Sequence, residues 1–141
     1  MKPLVFRPRA ALVMASVLSV VLVGAAAVGW LALDPSIRAQ FTALQLGTLA
    51  FFVLFMVGFM MSLGLSQVRT DAEGLTIRNG LRTHRITWPE ITGLRFTEHD
   101  PWAYVLLAGE PDRRPLMGIQ RTDHARAEAM VKQLREMLAR R

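Results

Sequence analysis

Residues Gly74–Phe96 read GLTIRNGLRTHRITWPEITGLRF, and their apolar side chains recur at every second position. Leu75 and Ile77 alternate with Thr76 and Arg78, Ile86 and Trp88 with Arg85 and Thr87, and Leu94 and Phe96 with Arg95 and Thr97. A period of two belongs to strands with one buried face. Asp71-Ala72-Glu73-Gly74, Asn79-Gly80, Pro89, Asp100-Pro101 and Gly109-Glu110-Pro111-Asp112 punctuate the region with residues suited to turns. Spacing this short predicts antiparallel hairpins. Tyr104–Leu107 and Leu116–Ile119 are the later strands, and Gly93 between Ile91 and Leu94 predicts a bulge.

Toward the C-terminus the period changes. Ala127, Met130, Val131, Leu134, Met137 and Leu138 fall at three- and four-residue steps and form one apolar stripe, predicting a helix over about 123–140 that covers the open side of the sheet. Thr122 or Asp123 is the expected N-cap. Glu128–Lys132 and Glu136–Arg140 are expected i,i+4 pairs, and Arg140 and Arg141 complement the helix dipole.

Toward the N-terminus, Ala10–Leu33 gives 24 consecutive residues without a charge and Ala39–Val68 gives 30, separated by a connector that carries Asp34 and Arg38. About 20 apolar residues suffice to cross a hydrocarbon core of ~30 Å. The pattern predicts a hairpin of two spans, 10–33 and 41–66, joined by a connector over 34–40. Lys2, Arg7 and Arg9 precede the first span and Arg69, Arg78, Arg82 and Arg85 follow the second, so both ends are expected in the cytoplasm. A cleaved signal sequence ending at Ala25-Ala26-Ala27 is the rival reading, disfavoured because apolar sequence continues through Trp30, Leu31 and Leu33. Gly24, Ala25, Ala26, Ala27, Gly29, Gly47, Gly58 and Gly64 are small enough for close helix approach, though such residues are ordinary in spans. No ionisable residue lies inside either span, which argues against a transport pathway.

The expected class is therefore α+β: a short N-terminus over 1–9, a two-helix hairpin, and an antiparallel domain over 67–141 closed by a helix. Strands followed by one C-terminal helix is the order of a pleckstrin-homology-like barrel. Val68–Arg78 and Arg85–Phe96 resemble the bacterial PH domain family that includes low-molecular-weight protein antigen 6, over residues of about 66–120. Gly74 and Leu75 carry the opening of that signature. Ile86, Trp88, Glu90, Ile91, Gly93, Leu94 and Phe96 carry its more specific part. The resemblance implies a PH-like fold behind membrane helices, and no defined biochemical activity.

Chemistry is hard to find. The chain of 141 residues has no cysteine and three histidines. His84, His99 and His124 are expected on a strand, a turn and a helix start, without metal-ligand spacing. Ser16, Ser19, Ser36, Ser62 and Ser66 all belong to the spans or the connector, away from every histidine, and no phosphate-binding glycine motif occurs. No catalytic residue, metal, cofactor, nucleic acid or small-molecule substrate is expected. Residues 69–141 hold 13 basic and 10 acidic side chains, too modest an excess for nucleic-acid binding.

The remaining candidates are Arg78, Arg85 and Arg95 on outward strand positions, Arg82 in the turn between strands, and Trp102 near a loop. They predict a face for an acidic partner or anionic headgroups. Eukaryotic PH domains grip phosphoinositides with basic residues in their first hairpin, whereas Asp71 and Glu73 occupy the corresponding turn here. The expected function is a non-enzymatic, multi-pass inner-membrane protein. It presents its domain to the cytoplasm as a scaffold for other membrane proteins, as an accessory subunit of a larger assembly, with anionic-lipid binding by the basic face as the alternative.

Overall fold

A computed structural model describes residues 3–109, 111 and 113–140. Lys2, Glu110, Asp112 and Arg141, which enter the charge and turn expectations above, lie outside the described residues. Among those described, the elements run β1 (Val5–Phe6), α1 (Arg9–Ala32), α2 (Pro35–Arg38), α3 (Ala43–Gly64), β2 (Gln67–Thr70), β3 (Gly74–Asn79), β4 (Arg82–Thr87), β5 (Ile91–Arg95), β6 (Trp102–Leu107), β7 (Arg114–Gln120) and α4 (Ala125–Ala139).

α1 and α3 pack together as a hairpin. At 1.5 Å per residue they are about 36 and 33 Å long, and both are long and apolar enough to cross a membrane. The connector is built from local capping. Asp34 accepts hydrogen bonds from the Ser36 amide at 2.8 Å and hydroxyl at 2.6 Å, which starts α2. Thr42 and Gln45 form a reciprocal capping box at the start of α3. Of the glycines expected to admit a neighbouring helix, Gly24, Gly29, Gly47 and Gly58 face open space. Only Gly64 sits at the crossing, where an added Cβ would lie 3.1 Å from both the Ala15 Cβ and the Leu12 Cα.

The polar part forms two antiparallel sheets, β1-β2-β3-β4 and β5-β6-β7. The alternating pattern appears directly in the register: Val68 opposes Ile77, and Leu75 opposes Ile86, all four buried. The expected bulge at Gly93 is present, with Ile91 opposite Leu107 and Gly93 opposite Leu106. Trp88 is buried as expected, but it lies in one turn of 3₁₀ helix (Trp88–Glu90) instead of a strand. The Glu90 carboxylate caps that turn by accepting from the Thr87 amide and hydroxyl, each at 2.7 Å. The Trp88 Nε1 donates to the Asp71 carbonyl at 3.1 Å. α4 lays Ala127, Met130, Val131 and Leu134 into the core shared by both sheets.

Two expectations are corrected. Among its described residues the expected 1–9 terminus is joined to the domain: β1 pairs with β2, placing Val5 opposite Arg69 and Phe6 opposite Val68. The Leu4 amide donates to the Thr70 hydroxyl, and the Thr70 amide to the Leu4 carbonyl, each at 2.9 Å. Phe6 is 4% exposed within the core. The hairpin is thus inserted between two paired strands of one sheet. Second, α4 starts at Ala125 behind His124, whose side chain makes no cap bond. The Asp123 carboxylate accepts instead from the Arg9 amide at 3.1 Å and the Ala10 amide at 2.9 Å. It caps α1, where free amide groups and the positive dipole end favour a carboxylate. Glu128 pairs with Arg121 at 3.3 Å.

Candidate functional site at the hairpin end of the domain

α1 starts and α3 ends on the same side of the domain, and strand register ranks the basic residues by distance from that end. On the outer face of the first sheet, Gln67 opposes Arg78, Arg69 opposes Thr76, and Thr76 opposes Arg85. Arg78 and Arg85 therefore share a face, as alternation predicts. They differ in electrostatics. Arg85, farther from the hairpin, bonds Glu73 at 2.6 Å and Asp71 at 3.2 Å. The Glu73 and Gly74 amides, with Arg85 as a lesser contributor, hold the Asp71 carboxyl below its ordinary value.

At the hairpin end, the Arg78 Nε donates to the Gly80 carbonyl at 3.2 Å, and the Arg7 Nε donates to the Gln67 side chain at 3.2 Å. Arg82 begins β4 opposite Asn79 instead of lying in the turn, and that register turns it to the opposite face from Arg78 and Arg85. It has no carboxylate partner among the described residues. Arg95 belongs to the second sheet, so Arg78, Arg85 and Arg95 do not form one stripe. Arg95 is tied to Asp100 at 3.3 Å. The Asp100 carboxyl is held below its usual range first by the Thr97 hydroxyl, then by the Thr97 amide and by Arg95. The sequence marks Arg7 and Arg69 only as charges flanking the spans; the even offset of Arg69 from Gln67 puts it on the outer face of β2.

The β3–β4 turn is braced from three sides. Gly80 adopts φ +60°, which costs glycine nothing. Its amide donates to the buried Ser66 hydroxyl at 3.0 Å, and a Cβ there would lie 3.7 Å from the Ser62 Oγ and 3.9 Å from the Leu63 Cδ2 of α3. The Asn79 side chain donates to the Pro115 carbonyl and accepts from the Met117 amide, at 2.7 and 3.0 Å.

Trp102 is half-buried at the start of β6, where it lines an apolar crevice of about 680 Å³ with Met14, Leu18, Met60 and Leu63 of the hairpin. Its Nε1 is buried and has no partner among the described residues. The signature residues are mainly structural. Leu75 and Ile86 are core, and Ile91, Leu94 and Phe96 pack against it. Gly74 lies so close to β4 that a Cβ would fall 2.0 Å from the Ile86 carbonyl oxygen. Gly118, not singled out from sequence, is equally constrained, because a Cβ would lie 2.6 Å from the Val68 amide nitrogen. Among the described residues no group of three metal-ligating side chains comes together.

Residues 66–136 match the family model described as Bacterial PH domain. The chain belongs to the bacterial PH domain family. Similar proteins include an uncharacterized protein of Mycobacterium bovis and uncharacterized proteins of two strains of Mycobacterium tuberculosis. Each is 32% identical over 87 residues, covering 62% of this chain and 56% of theirs. The chain thus spans little more than half the length of these relatives. No solved structure matches it.

Proposed function

We propose that this bacterial PH domain protein is a non-enzymatic integral membrane protein. Its two spans hold the domain at the cytoplasmic face of the inner membrane as an interaction module for other membrane proteins. The observation that supports this reading most is the double fastening of domain to hairpin. The β1–β2 ladder closes around the inserted helices, and Asp123 caps α1. A domain fixed in this way needs no lipid affinity of its own to reach the bilayer, and its orientation there is set. Its far faces are then free for a protein partner.

The absence of cysteine makes topology directly testable. A membrane-impermeant maleimide should label Ser36→Cys from outside intact spheroplasts and reach Ala72→Cys only after lysis. Labelling of Ala72→Cys from outside, or release of the chain by alkaline carbonate, overturns the reading. Gentle-detergent affinity purification should recover a recurrent partner that is lost on substituting surface residues of the domain.

A further inference from the structure

We infer that the β3–β4 turn is a second contact with the bilayer: Leu81 enters the interfacial zone beside the end of α3, and Arg78 and Arg82 meet the phosphates of anionic lipids. The inference rests on the proposed reading of α1 and α3 as spans. Leu81 is 87% exposed, in a domain whose other large apolar side chains after β2 are at most 38% exposed, as at Leu106. A single exposed leucine is ordinary on a protein surface. Its position here is not. Gly80, its neighbour, is bonded to Ser66 and stands against Ser62 and Leu63, within the last turn of the second candidate span and just after it. The turn therefore lies at the depth of Ser62 and Leu63, where the last turn of α3 meets the domain.

The charges agree with this placement. The Arg78 guanidinium is held at the turn by the Gly80 carbonyl, and Arg82 follows Leu81 directly with no carboxylate partner among the described residues. Asp71 and Glu73, which would repel phosphate, lie at the opposite end of β3, where Arg85 binds both. An apolar tip between two guanidiniums is suited to the headgroup boundary of an anionic leaflet, where each cation contributes attraction. This surface keeps Arg78 and Arg82 of the face expected from sequence and drops Arg85 and Arg95, which are already ion-paired.

The test uses the full chain reconstituted in vesicles. Leu81→Cys and Ala72→Cys are each labelled with an environment-sensitive nitrobenzoxadiazole probe. Nitroxide-bearing lipids should quench the Leu81 probe severalfold more than the Ala72 probe. Quenching at Leu81 should strengthen from phosphatidylcholine to phosphatidylglycerol-containing vesicles, and R78Q/R82Q should abolish that gain while leaving the Ala72 probe unchanged. Equal quenching at the two positions overturns insertion of the turn. Insertion without dependence on lipid charge or on the arginines overturns the headgroup contact. Loss of both proteins to an alkaline wash shows instead that the span reading has failed.

Discussion

Replacing Phe6 by Ala tests whether the N-terminal segment belongs to the domain. Phe6 lies 4% exposed among core residues of both sheets and α4, although 60 residues separate it from Ser66, where the family match begins. A phenylalanine buries about 150–250 Å². At ~25 cal/mol per Å² this corresponds to about 4–6 kcal/mol as an upper bound, and large-to-small core replacements of Phe cost about 3–5 kcal/mol. A small domain has only about 5–15 kcal/mol in all. F6A should therefore lower the domain's melting temperature by at least ~12 °C, taking ~4 °C per kcal/mol. Near-UV circular dichroism of the detergent-solubilised chain reads this directly. Val5→Ala, on the exposed side of the same strand, should cost no more than about 0.5 kcal/mol. If F6A melts within a few degrees of V5A, β1 is not part of the domain core, and the inserted-hairpin architecture is wrong.

Gly74→Ala forces a Cβ to within 2.0 Å of the Ile86 carbonyl oxygen, so the β3–β4 pairing must open. Hydrogen exchange of the Leu75 and Ile77 amides should accelerate markedly, and protection equal to the parent would refute the close approach. Asp123→Ala should cost about 1 kcal/mol by exposing the α1 amides it caps, seen as faster exchange at Arg9 and Ala10 with α4 unaffected. Asp100 has a depressed carboxyl pKa in the folded chain, so it stabilises the fold above the ordinary carboxylate range, and that contribution is lost as pH falls toward its folded value. Asp100→Asn should flatten this acid limb in pH-dependent melts; an unchanged limb would place the titration elsewhere. His124 holds φ +47° and ψ −126°, a region costly for any residue with a Cβ. His124→Gly should raise stability by about 1 kcal/mol in the same melts.

What could be read from sequence follows the range of the interactions involved. Leu75, Ile77 and Ile86 declared themselves through alternation within single hairpins, and Ala127 to Leu134 through helical spacing. Phe6 did not, because a strand of two residues has no measurable period and its partner Val68 lies beyond two helices. Asp123 looked like the cap of its own helix for the same reason: its true partners, Arg9 and Ala10, are more than a hundred residues away. Alternation placed Arg78, Arg85 and Arg95 outward. The break between β4 and β5, which assigns Arg95 to another sheet, carries no periodic signal. Arg82 lies in β4 and not in the turn because the turn is only two residues, Gly80 and Leu81, which fixes its register opposite Asn79.

The inserted hairpin also bears on how the chain is made. β1 leaves the ribosome some sixty residues before the strand it pairs with, so, with α1 and α3 as the proposed spans, it waits unpaired while both are delivered to the bilayer. Were only one of them to integrate, β1 and β2 would end up on opposite sides, and the sheet would lack the strand that brings Phe6. On that proposed topology, completion of the sheet requires both helices to integrate, and a chain threaded once instead of twice would leave Phe6 outside its core.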